Sequence, residues 1–275
     1  MALSKQYKIA AFLLLIAGLS FTACERDDFQ KLEPRNWQLT WSDDFQGAAG
    51  SLPDPSKWTF DLGTGQDGWG NQELQQYTND PANVSLDGEG NLVITAIRSG
   101  NSFTSARIKT QGLFSQQYGR FEARLKTPHG PGLWPAFWLL GSNVETVGWP
   151  QCGEIDIMEL RGQEPHIIHG SLHGPGYSAG AAVTGAHALI NDRFDNDFNL
   201  FAVEWFEDRI DFFVNDYLYK RVERDELPGE WVFNTPFFII LNVAVGGTYV
   251  GFPTDQTPFP QQMVVDYVKV YQLAN

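Results

Sequence analysis

The chain has 275 residues, with 33 acidic side chains against 19 basic ones and a formal net charge of −14. That length is typical of one all-β domain, and the acidic balance argues against nucleic acid and anionic membrane surfaces as partners. The charge suits a neutral polysaccharide as partner, although acidic surfaces are also common for solubility alone.

The N-terminal residues predict a targeting segment. Lys5 and Lys8 precede an apolar stretch over residues 9–19, so residues 1–23 are expected to form a signal peptide. The stretch is shorter than the ~20 residues that a permanent membrane helix needs. Cleavage would remove two Lys and no acids, which changes the charge to 17 − 33 = −16.

The signal peptide ends in a sequence that resembles a bacterial lipobox, Phe21-Thr22-Ala23-Cys24, in which Cys24 becomes the lipidated first residue. Residues 24–36 would then form an acidic tether. We therefore expect a monomeric outer-membrane lipoprotein that faces the cell exterior and meets the membrane only through its lipid. A plain secretory signal with an incidental Cys is the alternative. Cys152 would remain as a free thiol, and we interpret it as a packing residue rather than a redox group.

Short apolar and aromatic runs alternate with clusters of Gly, Pro, Asn and Asp along the rest of the chain. This spacing is typical of a sandwich or barrel, and no long helical periodicity appears. The predicted strands are Asn91–Arg98, Gly119–Lys126, Leu133–Leu140, Gly153–Leu160, Ile167–His173, Leu200–Trp205, Arg209–Val214, Phe237–Val245 and Met263–Tyr271.

Alternation of side chains divides the second and third of these strands into two faces. In the second, Arg124 and Glu122 share a face, and Arg124 is a candidate to bind sugar hydroxyls or a catalytic carboxylate. A surface pair with Glu122 is the alternative. In the third, Trp134 and Trp138 lie opposite the apolar residues, and exposed indoles of this kind stack on sugar rings. Burial of both indoles in the core is the other reading.

The segment Gly153–Leu160, GEIDIMEL, carries three acids within an apolar run. Glu154 and Asp156 share a face, but Glu159 is out of phase by one residue. A β-bulge at Ile157 and Met158 would return Glu159 to the face of the other two acids, with one of the bulge residues in the core. Three acids on one sheet face indicate an active site; a solvated acidic edge strand is the alternative.

Retaining cleavage of a glycosidic bond requires two carboxyl groups roughly 5 Å apart, one nucleophilic and one protonated. We assign Glu154 as nucleophile and Glu159 as acid/base, with Asp156 as a supporting carboxylate that bonds the nucleophile. Mutual repulsion would raise one pKa and keep the acid protonated near neutrality.

Histidines alternate on the next predicted strand. His169, Ser171 and His173 share a face, which raises the possibility of a zinc site, but zinc needs three ligands in a defined geometry. We prefer His173 as a hydrogen-bond donor near the acid/base Glu159.

Several motifs in order resemble glycoside hydrolase family 16 between about Trp37 and Gln272. They are LTWSDDF (39–45), GWGNQELQQYT (68–78), SARIKT (105–110), YGRFEARLKTPHGPGLWPAFWLLG (118–141), GWPQCGEIDIMELRG (148–162) and VDYVKVYQ (265–272). The EIDIME run is similar to the bulged signature of that family, in which the first Glu is the nucleophile and the last is the acid/base. Within that family, GWGNQELQQYT and WPAFW followed by GWP are most similar to the laminarinase group.

The resemblance implies a β-jelly-roll sandwich of two antiparallel sheets over residues 37–275, with a concave substrate cleft. It implies that Asn71 contacts sugar on the non-reducing side, that Trp149 helps to wall the cleft and that Arg124 lies in it. Asn242, in phase with Ile240 and Ala244, would reach the other end, and Glu73 is interpreted as a loop-fixing residue.

The resemblance also implies a structural calcium ion on the convex side, bound by Asp44, a backbone carbonyl near Gly90 and Asp266. Oxygen ligands of this kind suit calcium, although Asp44 departs from the more usual Glu. Catalysis itself would need no metal or other cofactor.

The sequence as a whole predicts a retaining endo-β-1,3-glucanase that acts on laminarin-like polysaccharide. A mixed-linkage glucanase or galactan hydrolase of the same family is the first alternative. A lectin that binds glucan without cleaving it is the second, and the presence of all three acids disfavours it.

Overall fold

The computed structural model describes residues 35–274 of the chain. The predicted lipidation site Cys24, the predicted signal peptide and most of the predicted tether lie outside the described residues. Within them, 17 strands are connected by turns and short helical segments. The strands are β1 (Trp37–Asp43), β2 (Thr59–Asp61), β3 (Gln75–Tyr77), β4 (Val84–Leu86), β5 (Leu92–Ser99), β6 (Ser102–Ser105), β7 (Arg107–Lys109), β8 (Gly119–Lys126), β9 (Leu133–Gly141), β10 (Glu154–Leu160), β11 (Ile167–His173), β12 (Val183–Ala188), β13 (Asn199–Trp205), β14 (Arg209–Val214), β15 (Tyr217–Glu223), β16 (Phe237–Val245) and β17 (Gln261–Leu273).

The helical segments are short and lie in connections. They are an irregular turn at Gly68–Gln72, the four-residue helix α1 (Val144–Val147), and single 3₁₀ turns at Ala179–Ala181 and Arg224–Glu226. Among residues 35–274, no helix combines the length and the apolar character that crossing a membrane requires.

The strands form two sheets. A ten-stranded sheet has the order β15-β14-β13-β8-β17-β5-β6-β3, with β1 paired to β17 and β4 paired to β5. A seven-stranded sheet has the order β12-β11-β10-β9-β16-β7-β2. All pairs are antiparallel except β3 with β6. This all-β sandwich confirms the predicted jelly-roll fold, and each of the nine predicted strands is present with ends that differ by at most two residues.

The core fills the space between the two sheets, because alternate residues of each strand point inward. Trp205 of β13 meets Phe237 of β16 edge to face, with ring centroids 5.0 Å apart, and so joins the two sheets. On β9 the inward Leu133, Phe137 and Leu139 are fully buried, whereas Trp134 and Trp138 are partly exposed. The predicted division of this strand into an apolar and an indole face is therefore confirmed.

The strand that carries the three acids begins at a glycine for a steric reason. Gly153 has φ of 79°, a left-handed conformation that side chains disfavour. A Cβ atom there would lie 2.9 Å from Cζ of Phe237. The tight entry lets β10 run between β9 and β11 near the middle of the seven-stranded sheet.

Candidate active site

The register of β10 places three carboxylates on the outer face of the seven-stranded sheet. Toward β9, Glu154, Asp156 and Glu159 lie opposite every second residue, namely Leu140, Trp138 and Ala136. Toward β11 they lie opposite His173, Ser171 and His169. Because Ile157 has no partner on β9, it is the extra residue of a β-bulge, and the predicted bulge is confirmed. Both Ile157 and Met158 pack in the core, where only one of them was expected.

The environment of these acids differs from that of the other buried acids. Five buried carboxylates have a Lys or Arg nitrogen at 2.6 to 3.8 Å, namely Asp43, Glu73, Glu122, Glu204 and Asp211. In the part of the chain that the structure describes, Asp156 and Glu159 are buried without such a partner. Burial of uncompensated acids is unfavourable for stability, which indicates that their purpose is chemical.

Glu154 is the most accessible of the three, with 18% of its side chain exposed. Its Oε2 accepts a hydrogen bond from the indole Nε1 of Trp149 at 3.0 Å, and its Oε1 lies 3.8 Å from Nε2 of His173. Burial, followed by the charge of Asp156, raises the pKa of Glu154, while His173 and the Trp149 donor lower it in part. Trp149 is 46% exposed beside the nucleophile candidate, consistent with a wall of the cleft.

Asp156 faces His173 across the strand pair. Nε2 of His173 lies 2.9 Å from Oδ2 of Asp156, but Oδ2 accepts no aligned hydrogen bond, so the contact is electrostatic. Burial raises the pKa of Asp156 to about 8, and the adjacent carboxyl group of Glu154 lowers it in part. The antiparallel register sets His173 opposite Glu154 and His169 opposite Glu159. His173 still acts on Glu159, since its charge lowers the pKa of that group in part, and a hydrogen bond from His173 near Glu159 stays a prediction.

The cluster of Glu154, Asp156 and His173 is compact, with donor atoms within 4.8 Å of one another. We assign no metal to it. The backbone N–H of Ala179 donates to Nδ1 of His173 at 3.1 Å, so Nε2 carries the imidazole proton and offers no lone pair to an ion. Among residues 35–274, no candidate metal cluster joins His169 to His173, which leaves the zinc alternative without support.

Glu159 lies at the other end of the trio, beside the indole of Trp134. Nε1 of Trp134 donates to Oε1 of Glu159 at 2.9 Å. Burial and then the charge of Asp156 raise the pKa of Glu159 to about 8, and the pKa of Glu154 is raised to the same value. The raised pKa values therefore mark both groups as candidates for proton chemistry, and the assignment of Glu159 as the acid rests on its position in the motif.

Trp138 and Asn242 form the neighbouring floor of the cleft. The indole Nε1 of Trp138 donates to Oδ1 of Asn242 at 2.8 Å, and Nδ2 of Asn242 donates to the hydroxyl of Tyr77 at 3.2 Å. Asn242 is only 3% exposed. It therefore supports Trp138 from below, and direct contact of its amide with sugar stays a prediction.

Asn71 and Glu73 lie on and just after the irregular turn Gly68–Gln72. Glu73 accepts hydrogen bonds from Nδ2 of Asn71 at 3.2 Å and from Nε2 of Gln75 at 2.6 Å. Glu73 is buried, so its interpretation as a loop-fixing residue is confirmed. The sugar contact of Asn71 stays a prediction.

Arg124 does not lie among the carboxylates, and its placement in the cleft is a wrong expectation. Its strand β8 belongs to the ten-stranded sheet, where Nη1 lies 2.5 Å from Oδ2 of Asp266 and the guanidinium lies 4.6 Å from the ring centroid of Phe198. The predicted outward direction of the Arg124 side chain is correct. The sheet that β8 joins depends on pairing between residues distant in the chain, which alternation along one strand does not predict.

Arg107 of β7 is an arginine on the cleft side that the sequence reasoning missed. Its guanidinium lies 4.6 Å from the ring of Trp69 and 5.5 Å from that of Trp138, and 3.8 Å from Glu73. Alternation within SARIKT sets Arg107 opposite the buried Ala106 and Ile108, and that signal was available. Tyr249, whose ring centroid lies 4.9 Å from that of Trp134, was also missed, because its loop has no periodic pattern.

The residues expected to bind calcium do not form a cation site as they are placed. Asp266 is paired with Arg124, and Oδ1 of Asp44 lies 3.4 Å from Nζ of Lys269. Asp44 and Gly90 are neighbours, since a Cβ on Gly90 would lie 3.9 Å from the carbonyl of Asp44. Basic side chains already compensate both carboxylates, so the expected calcium stays a prediction and enters no step of the chemistry.

A two-sheet β-sandwich with unpaired carboxylates and indoles on one sheet face defines a class of enzymes that cleave glycosidic bonds. The family described as Glycosyl hydrolases family 16 matches residues 69–269. The beta-glucanase of Rhodothermus marinus is 40% identical over 286 residues, covering 99% of this chain and 97% of that protein. The glucan endo-1,3-beta-glucosidase of Cryptopygus antarcticus is 39% identical, covering 78% of this chain and 83% of that protein. The crystal structure of the laminarinase catalytic domain from Thermotoga maritima MSB8 has a TM-score of 0.82 and 44% identity, covering 87% of this chain and all of that one. The chain belongs to glycoside hydrolase family 16 and is a glycoside hydrolase.

Proposed function

We propose that this protein is an endo-β-1,3-glucanase that cleaves laminarin-like polysaccharide with retention of the β configuration. The observation that carries the proposal is the bulge in β10, which brings Glu154 and Glu159 to one face with Asp156 between them. The β-1,3-glucan specificity is supported by the named activities of similar proteins.

The proposed reaction has two steps. The carboxylate of Glu154 attacks the anomeric carbon while Glu159 gives its proton to the leaving glycosidic oxygen, which forms a covalent glycosyl-enzyme. The carboxylate of Glu159 then takes a proton from water, whose oxygen displaces Glu154 from the sugar. Asp156 bonds Glu154, and Trp138 offers an indole face for stacking of a sugar ring.

A product profile on laminarin, lichenan and agarose tests the substrate. Early release of oligosaccharides from laminarin alone supports the proposal. Preferential release of oligosaccharides from lichenan would indicate that the substrate is mixed-linkage glucan, and preferential release from agarose would indicate that it is a galactan. Binding of laminarin without release of any product would make the protein a lectin and overturn the proposed activity.

Glu154→Ser tests the nucleophile. The variant should lose hydrolysis, by about 10⁴-fold or more, because no covalent intermediate can form, while laminarin binding is retained. Initial rates and isothermal titration of laminarin oligosaccharides measure the two properties. Glu145→Ser, at an exposed glutamate of α1, is the matched control and should keep full activity. Retained turnover in Glu154→Ser would refute the assignment.

For the whole protein, we propose an outer-membrane lipoprotein attached through Cys24 and facing the cell exterior, and acting as a monomer. The lipobox-like sequence and the acidic residues after it support this location. An exterior position would give the enzyme direct access to a polysaccharide too large to enter the cell.

A further inference from the structure

Three indoles on the cleft face donate their N–H groups to three different acceptors. Trp149 donates to Oε2 of Glu154 at 3.0 Å, and Trp134 donates to Oε1 of Glu159 at 2.9 Å. Trp138 donates to the amide oxygen of Asn242 at 2.8 Å. Each proposed catalytic carboxyl group thus has one indole donor, and the third indole serves neither.

The two donors come from different parts of the fold. Trp134 lies within β9, where its ring packs against Tyr249 at 4.9 Å. Trp149 lies on the connection between α1 and β10 and is 46% exposed. The two contacts can therefore be removed independently, and removal of Trp149 should disturb packing least.

An N–H donor acts on a carboxyl group in two ways. It stabilises the ionised form, which lowers the pKa, and it occupies one of the two oxygens. With Oε2 of Glu154 occupied by Trp149, Oε1 is the oxygen left to attack. With Oε1 of Glu159 accepting from Trp134, the transferable proton lies on Oε2.

Other ionisable groups face the two glutamates from the surrounding strands and loops. The groups that face Glu154 are Asp156 and Glu159 of the same strand, His173 of β11 and Cys152 before the strand, while the β9 neighbour Leu140 is apolar. The groups around Glu159 are Asp156, His169 and His173 of β11, Arg161 after the strand, Tyr249 after β16 and Tyr219 of β15. None of these groups donates a hydrogen bond to Glu159, so its contact with Trp134 is distinct from them.

We propose that Trp149 and Trp134 are positioning residues that divide the pH dependence of the enzyme between them. Through their N–H groups, Trp149 sets the pH at which the nucleophile ionises, and Trp134 sets the pH at which the acid loses its proton. The inference rests on the proposed roles of Glu154 and Glu159.

The sign of each effect follows from the role of each group. Glu154 must be ionised, so activity appears as pH rises through its pKa, and loss of the Trp149 donor moves this acidic limb to higher pH. Glu159 must be protonated, so activity is lost as pH rises through its pKa, and loss of the Trp134 donor moves the basic limb to higher pH. Each shift should be about 0.5–1 pH unit.

Trp149→Phe, Trp134→Phe and Trp138→Phe form a matched set that removes one N–H from each contact. In the pH profile of kcat/KM on laminarin oligosaccharides, the acidic limb should move to higher pH in Trp149→Phe. The basic limb should move to higher pH in Trp134→Phe. Trp138→Phe should weaken binding, raising KM, while leaving both limbs in place. Equal profiles in all three variants, or a basic-limb shift with Trp149→Phe, would overturn the proposal.

A measurement without turnover separates this inference from the proposed function. Carbon-13 NMR titration of labelled glutamate carboxyl groups should show a raised pKa for Glu154 in Trp149→Phe and for Glu159 in Trp134→Phe, even if the parent protein cleaves no glucan. If Trp134→Phe fails to fold, the isosteric benzothienyl analogue at position 134 keeps the ring shape and removes only the N–H. Unchanged glutamate pKa values in the folded variants would refute the inference, whereas shifted values with no glucan cleavage by the parent would refute the function alone.

Discussion

Asp156 lies between the two glutamates and controls their ionisation by its charge. It is 3% exposed, and its charge is the largest cause after burial of the raised pKa of both Glu154 and Glu159. No Lys or Arg within the described residues pairs with it, so the charge is not compensated locally. Because the pKa of Asp156 is itself raised to about 8, its charge acts at that pH and above, where it helps to keep Glu159 protonated.

Asp156→Asn removes that charge while conserving the shape of the side chain. The pKa of both glutamates should fall, so both limbs of the pH–rate profile should move to lower pH. At pH 9, where Asp156 of the parent is ionised, a fall of about one unit in the pKa of Glu159 leaves about tenfold less of it protonated, so kcat/KM should drop about tenfold. Asp225→Asn, at an exposed aspartate on the far 3₁₀ turn, should leave the profile unchanged. Movement of either limb of Asp156→Asn to higher pH would contradict this electrostatic role.

At the scale of elements, the bulge in β10 adds one residue between Asp156 and Glu159, so that both side chains point to the same face of the sheet. Three residue steps separate Asp156 from Glu159, while only two separate their partners Ser171 and His169. Ile157 is the residue without a partner on β9, and its side chain is fully buried. The strand therefore keeps Glu159 outward at the cost of one irregular position.

Deletion of Ile157 should leave a regular strand. Two residue steps would then separate Asp156 from Glu159 on β10, equal to the two steps between their partners Ser171 and His169 on β11. Glu159 would still face the cleft, and we expect detectable hydrolysis together with a loss of stability of about 2–5 kcal/mol from the missing core side chain.

Deletion of Ile155 is the matched control, because that residue is equally buried but lies outside the bulge. It would make the first two acids adjacent and turn one of them toward the core, which should abolish activity and lower thermal stability further than deletion of Ile157 does. Initial rates and thermal unfolding distinguish the two variants. Equal loss of activity in two folded proteins would show that the bulge matters for more than parity.

At the scale of the whole molecule, basic side chains in the described part of the chain compensate the buried acids of the ten-stranded sheet and the acids near the β7 edge of the seven-stranded sheet, but not Asp156 and Glu159 on β10. Arg120 on the outer face of the ten-stranded sheet pairs with Glu122 and Glu204, and Arg221 pairs with Asp211. The seven-stranded sheet carries the uncompensated acids. An enzyme with this division can be tethered at its N-terminus without loss of its site, because the site lies within residues 35–274.

Cys24→Ala should release the protein from the membrane fraction of the producing bacterium, since a lipid chain supplies the only attachment that we propose. Cys152→Ala is the control with the same chemical change at a buried thiol, and it should stay in the membrane fraction. Fractionation, together with protease treatment of intact cells, measures attachment and exposure. Light scattering of the released protein should give a monomer. Membrane retention of Cys24→Ala would refute the lipid anchor.

Local sequence predicted much of this site because alternation along a strand is a local property. The indole face of β9, the apolar face opposite it and the need for a bulge before Glu159 all followed from counting residues. The loop-fixing role of Glu73 came from its motif. The error had a different origin: Arg124 was expected in the cleft, but its strand joins the other sheet.

The sequence by itself determined which side chains share a face of each strand, and which three acids could act together. Only the tertiary structure decided which strands are neighbours, and so which arginine lies in the cleft, which histidine faces which acid and which indole donates to which carboxyl group. The physical reason is that strand order and register depend on pairing between residues distant in the chain. Parity depends only on the two-residue repeat of a single strand.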